Sequence, residues 1–318
     1  MQLLHRRWRN LGICTKKTDF KTKFGHKPKQ YSAPLESNDH PEFDTSEELE
    51  APDIKRYQSM IVSLQWAVSL GRFDINTAVM TLLSFRVSPR KGHLKQAQQI
   101  YGYLAKFQTS TIRIWTDEPN YSNINIEKYE WSKWVYGNVK ELIPGDAPQP
   151  LGKPVTLTTY VDANLYHDLL TGRSVSGIIH LINKTPFDWY SKKQATVEIA
   201  TYESEFTAAR IATDQIITHR TMLRYLGVKI NQHTYMFGDN ISVVDSSMLP
   251  HAQLQKRHTA LSFHRVREAI ASNIISFNYI PGKINPIDIL SKHWGYQQVK
   301  DMLKPLLFHK GDTAKLFE

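Results

Sequence analysis

Four acidic residues in the second half of the chain stand in separate, well-formed contexts: Asp162 in Tyr-Val-Asp-Ala, Glu205 in Glu-Ser-Glu-Phe, Asp239 in Phe-Gly-Asp-Asn and Asp288 in Asn-Pro-Ile-Asp-Ile-Leu. Each falls at the end of an expected helix or strand. Carboxylates brought together from four such places repel, by roughly 3 kcal/mol for two unit charges about 5 Å apart at an effective dielectric near 20. A convergent set therefore implies a divalent cation. Hard oxygen ligands suit Mg²⁺ or Mn²⁺, and with two ions they serve the in-line displacement chemistry of nucleases. All four are expected to be both metal ligands and catalytic groups.

The elements that must position them are legible as periodicity. Val155 to Val161, Ser174 to Ile182 and Pro186 to Tyr190 read as strands of an antiparallel meander. The long run Thr201 to Leu226 is helix-compatible and meets a stop at Gly227. Tyr235 to Phe237 and Ile274 to Tyr279 read as further strands, and Pro286 to Ser291 begins a helix. On this reading Asp162 closes the first strand and Asp239 the fourth, at one end of a mixed sheet, where open α/β sheets tend to bind ligands. Taken alone, each is more commonly a turn former or helix cap; the joint placement favours a site. Glu203 and Glu205 share the first turn of the long helix but differ by about 200° around its axis, so only one can face the sheet end. Ala208 and Ala209 permit close packing beside Glu205, which is preferred. Asp168, Asp188, Asp214 and Asp245 read as surface groups, and His258 and His264, six apart, fit no compact zinc motif.

Upstream, residues 1–53 read as a basic arm followed by an acid- and Pro-rich extended linker (31–53), mostly disordered. Residues 54–150 read as a helical region, with helices through Tyr57, Met60, Ile61, Leu64 and Ala67, through Ala78, Leu82 and Leu83, and from about Leu94 to Phe107. Residues 108–150 carry isolated tryptophans among turn formers, with a strand near 111–115. Residues 151–318 form the α/β domain, so the fold class is a small helical subdomain followed by a mixed sheet with helices packed on it.

Composition narrows the partner. Lys and Arg outnumber Asp and Glu by 40 to 30, giving a net charge of +10, and an acidic polymer such as nucleic acid is the leading partner class. Cys14 is the single cysteine, which excludes an intrachain disulfide framework and fits a reducing compartment, cytoplasm or nucleus. No apolar run reaches the length of a membrane span, so no membrane partner is expected.

Asp162-Ala163, the block from Thr171 to Gly177, Trp189-Tyr190-Ser191-Lys192-Lys193-Gln194, Glu203-Ser204-Glu205-Phe206, Asp239-Asn240 and the block from Ile287 to Lys292 resemble, in order and spacing, the ribonuclease H domain of copia-type retrotransposon Pol polyproteins. Upstream, Tyr57-Gln58-Ser59-Met60, Leu70-Gly71-Arg72-Phe73, His93-Leu94-Lys95 and Tyr101-Gly102-Tyr103-Leu104 resemble the thumb and connection that follow the polymerase palm. The resemblance implies a ribonuclease H-like five-stranded mixed sheet with helices on both faces. It also implies cleavage of the RNA strand of RNA:DNA hybrids with two Mg²⁺ or Mn²⁺ ions on Asp162, Glu205, Asp239 and Asp288, and other parts of a polyprotein as partners. Lys192, Lys193, Arg257 and Lys283 are expected to contact the hybrid. There are departures. No Asp-Asp dipeptide occurs, so the paired aspartates of a polymerase palm are missing, and the loop before the last acid reads Tyr279-Ile280-Pro281-Gly282-Lys283, without the histidine of cellular ribonucleases H. Two other readings stay open: a decayed, non-catalytic nucleic-acid-binding fragment, and another two-metal enzyme of the same fold, such as an integrase or resolvase.

Overall fold

The computed structural model describes residues 29–36, 39–108, 110–112, 114–293, 303 and 305–309. Most of the basic arm lies outside the described residues. The chain forms two compact units: one comprises the residues up to Ile114 with His167–Gly172 and those from Asp288 on, the other Trp115–Tyr166 with Arg173–Ile287.

In the first unit, helix α1 (Ala51–Ser69) buries Tyr57, Met60, Ile61, Leu64 and Ala67, the three-and-four spacing of an amphipathic helix. It packs with α2 (Asn76–Leu83) and α3 (Lys91–Lys106). Arg72 and Asp74 form a buried bidentate pair, and the Tyr103 hydroxyl donates to Asp74 at 2.9 Å.

The linker expected over 31–53 is instead pinned to these helices. Leu35 is fully buried, Leu49 is buried, and Pro41 opens a turn of 3₁₀ helix. Asp44 and Ser46 accept the backbone N–H groups of His93 and Gly92 at the start of α3, donors that the helix itself leaves unsatisfied. Gly92 is required there, because a Cβ would lie 2.0 Å from the Asp44 carboxylate. Anchors this sparse show no period, which is why the segment reads as unstructured.

The second unit holds a five-stranded sheet made of β1 (Leu157–Asp168), β2 (Arg173–Ile182), β3 (Thr185–Lys193), β4 (Thr234–Gly238) and β5 (Ile275–Tyr279). The order across it is β3-β2-β1-β4-β5, with β2 and β3 antiparallel and β4 parallel to both β1 and β5. The last residues of β1 group with the first unit. Alternation along β4 sorts its side chains. Met236 joins the core formed with α4 (Thr201–Tyr225), α5 (Ile241–Met248) and α6 (Ala260–Ala271), whereas Tyr235 and Phe237 meet Tyr121.

Residues 115–150, expected to belong with the upstream helices, pack in this second unit and hold no helix or strand. Trp131 is buried in its core beneath the Arg267 guanidinium, 4.9 Å from the ring centre. Glu141 accepts bidentate hydrogen bonds from both Arg220 and Arg224 of α4 at 2.7–2.8 Å. The units thus divide at places other than 53 and 150, because side-chain anchors rather than periodicity decide which body this stretch joins. No helix among the described residues is long and apolar enough to cross a membrane.

Candidate active site

Asp162, Glu205 and Asp239 come together in the second unit, each offering a carboxylate oxygen, and these oxygens lie within 4.8 Å of one another. The route to the site differs from the sequence expectation in one respect. β1 runs on to Asp168, so Asp162 sits in mid-strand instead of closing it. Asp239 does follow the last residue of β4, and Asn240 beside it caps α5, its side chain accepting the Val243 N–H at 3.3 Å. Glu205 lies one turn into α4.

Helix geometry separates the two glutamates as expected. Glu203 points elsewhere, accepting from Lys256 and from the Ile199 N–H, with His258 Nε2 3.3 Å away. Burial works to raise its carboxyl, but Lys256 and the Ile199 amide outweigh burial and hold it below its ordinary value. Glu205, only 6% exposed, shows the opposite balance. Burial, then repulsion from Asp162 and Asp239, push its carboxyl well above the ordinary range, against a single lowering contact from the Ala163 backbone amide. A buried carboxyl raised by neighbouring like charges in this way is what a divalent cation would relieve.

The surrounding chain fixes the three acids. Gln194, buried at the end of β3, donates to Ser176 Oγ at 2.9 Å and to the Ser204 carbonyl at 2.8 Å, tying the first turn of α4 to the sheet. Asn285 donates to the carbonyl of Val161, the neighbour of Asp162. The turn at Gly282 presses against Asp239, where a Cβ on Gly282 would lie 2.8 Å from Oδ2. That close approach is a structural feature the sequence did not signal, although Pro281-Gly282 is a turn signal.

Asp288 is not one of the three clustered acids. It belongs to the first unit, opens the short helix α7 (Asp288–Ser291) and accepts from Lys292 at 2.8 Å. Of the cations expected to meet the hybrid, Lys192, Arg257 and Lys283 are exposed and Lys193 is half-buried. Lys192 and Lys193 end β3 opposite Ser176 and Val175, and Lys283 adjoins the Gly282 turn. One of the acids read as surface groups is not: Asp168 is buried and accepts the Thr171 N–H at 3.0 Å, while Asp188, still partly exposed, pairs with His219 at 2.9 Å. Both close local structure, a turn and a strand-to-helix contact, that no spacing rule exposes.

By its strand order and mixed strand directions, the second unit has a ribonuclease H-like fold. Among solved structures it is similar to ribonuclease H1 from the archaeon Halobacterium salinarum NRC-1 (12% identity, 46% of this chain and 98% of that one, TM-score 0.33). It is also similar to LC11-RNase H1, solved in complex with an RNA/DNA hybrid (14% identity, 42% and 93% covered, TM-score 0.35).

The homologues of the chain are Pol polyproteins of copia-type retrotransposons, at low identity. It is 23% identical over 236 residues to the retrovirus-related Pol polyprotein from transposon TNT 1-94 of Nicotiana tabacum, and 23% identical over 240 residues to that of transposon RE1 of Arabidopsis thaliana. These alignments cover 74% and 76% of this chain but only 15% and 14% of the polyproteins. A putative transposon Ty5-1 protein of Saccharomyces cerevisiae is 26% identical over 175 residues, 54% of this chain and 44% of its own length. No protein-family profile matches the chain.

Proposed function

We propose that the chain is a metal-dependent ribonuclease H that cuts the RNA strand of an RNA:DNA hybrid, and that it carries no polymerase site of its own. The observation that carries this reading is the convergence of Asp162, Glu205 and Asp239 from a strand, a helix and a strand end, with burial and the neighbouring acids raising the Glu205 carboxyl well above its ordinary value. The donor set, all carboxylate oxygen, fits Mg²⁺ or Mn²⁺. Two such ions, when bound, supply an activated water and neutralise charge on the leaving 3′ oxygen.

The residues of the chain do the positioning. Asp162 and Asp239 hold the site from the sheet, Glu205 approaches from the helix, and Gln194 and Asn285 fix the backbone on either side. Lys192, Lys193, Arg257 and Lys283 supply positive charge for the backbone of the hybrid, while the 2′-hydroxyls exposed in its minor groove mark the RNA strand. Asp288 enters as the fourth ligand on the strength of its sequence block and is tested separately by Asp288→Asn.

The decisive experiment uses a labelled hybrid with Mg²⁺. Wild-type protein is expected to cut the RNA strand, and Asp239→Asn to lose at least about a hundredfold in rate, in the range expected when a group that stabilises transition-state charge is removed, while binding is largely retained. Salt-sensitive binding without cutting would select the decayed, non-catalytic reading, and cutting of a DNA duplex would select an integrase- or resolvase-like enzyme.

A further inference from the structure

Helix α4 carries a second cluster of metal-ligating side chains, made of His180, Asp188 and His219, whose donor atoms lie within 4.8 Å of one another. It is remote from the carboxylates: His219 stands fourteen residues beyond Glu205 on the same helix, roughly 21 Å along the axis at 1.5 Å per residue. His180 and Asp188 are direct cross-strand partners on β2 and β3, so their side chains share one face of the sheet. His219 lies on the buried stripe of α4 between Ile216 and Leu223.

Several details point to a common centre and not to a set of separate pairs. Thr159 Oγ1 contacts His180 Nδ1 at 2.8 Å, which leaves Nε2 for another partner. That atom is 3.0 Å from Gln215 Oε1, and Gln215 is one helical turn before His219. His219 Nε2 is buried and 2.9 Å from Asp188 Oδ2, yet lacks a hydrogen bond of acceptable alignment. The two imidazoles stand nearly perpendicular, 4.7 Å between centroids, and the Phe187 ring closes against His219 at 5.0 Å. A partly buried cluster of two imidazoles, one carboxylate and one amide oxygen, with His180 buried, is thus assembled from two strands and a helix.

We infer that His180, Asp188, His219 and the Gln215 carbonyl form a binding site for a borderline divalent transition metal, of which Zn²⁺ is the type, that clips the β2–β3 hairpin to α4. Imidazole nitrogens select Zn²⁺, Co²⁺, Ni²⁺ or Cu²⁺ over Mg²⁺ and Ca²⁺, so the site differs in metal preference from the all-oxygen carboxylate cluster. Tetrahedral bonds of about 2.0–2.1 Å place ligand atoms roughly 3.3 Å apart. Closing the cluster therefore takes side-chain adjustments of about an ångström or less. The Thr159 contact supplies the outer hydrogen bond that metal-ligating imidazoles characteristically make.

The test uses tag-free full-length protein, stripped with a chelator and titrated with Co²⁺ while its visible absorption is followed. Wild type is expected to bind one equivalent with the intense bands of a tetrahedral nitrogen- and oxygen-ligated ion, to lose them on addition of Zn²⁺, and to keep them in a hundredfold excess of Mg²⁺. His219→Gln and Asp188→Asn, checked for folding by circular dichroism, lose the bands, and Asp239→Asn retains them. The inference is overturned if wild type shows no such spectrum, if the bands survive in folded His219→Gln, or if they vanish in Asp239→Asn.

Discussion

The two ends of α4 handle buried charge in opposite ways. At its start, Glu205 is buried against Asp162 and Asp239, and its carboxyl is driven up. Toward its end, Arg220 is equally buried, but Glu141 reaches back to both Arg220 and Arg224 with four short hydrogen bonds. One end pairs its charges and contributes to holding residues 115–150 on the helix; the other brings like charges together, where burial and repulsion drive the Glu205 carboxyl up. Glu203 makes the contrast local, since two residues from Glu205 a buried glutamate with Lys256 beside it is held down instead of up. Glu203 and Glu205, both buried, thus differ in whether a cation of the chain lies beside them.

The largest effect that would break this contrast is expected at the paired end. Glu141→Gln leaves the Arg220 guanidinium buried without its counter-charge and should cost about 3–5 kcal/mol in chemical denaturation. Burial works to raise Glu141, but the two guanidiniums prevail and hold it at about 2, against an ordinary 4.5. A depressed carboxyl stabilises the fold above its ordinary value and loses that contribution as pH falls toward its folded value. Wild-type stability should fall between about pH 4.5 and 2 more steeply than that of Glu141→Gln.

At the end with the clustered acids, Gly282→Ala should displace the Asp239 carboxylate and slow hybrid cleavage by about tenfold to a hundredfold, with stability unchanged within roughly 0.5 kcal/mol. A variant as active as wild type would show that the close approach of Gly282 has no part in placing Asp239. The smallest effect is expected from Lys283→Ala, which should weaken hybrid binding for all sequences alike and lower the salt-dependence slope by about 1. An unchanged slope would remove Lys283 from the interface.

Sequence periodicity located α1 and α3, which bury apolar residues at three-and-four spacing. Of the four acids singled out by context, Asp162, Glu205 and Asp239 meet in the structure and Asp288 is not among them. Helix angle indicated that only one of Glu203 and Glu205 could join them, Ala208 and Ala209 favoured Glu205, and the structure separates the two glutamates in that way. What stayed hidden depends on contacts distant in sequence. Glu141 meets Arg220 across 79 residues, Asp44 caps a helix 49 residues on, and Asp188 finds His219 on another element. Asp162 sits in mid-strand because β1 continues through polar residues that do not signal a strand.

The central claim, that the acid cluster is completed by a divalent cation, is tested most directly by comparing the thermal stability of wild type and Glu205→Gln at pH 8 with and without Mn²⁺. A carboxyl held above its ordinary value lends stability only at low pH and loses it as pH rises through the folded value. Without metal, then, Glu205→Gln should be the more stable protein, by roughly 1–2 kcal/mol. With Mn²⁺ at a hundredfold excess over its dissociation constant, wild type should gain about 2.7 kcal/mol by mass action and the order should reverse. An equal gain in both proteins, or none in either, would contradict the account.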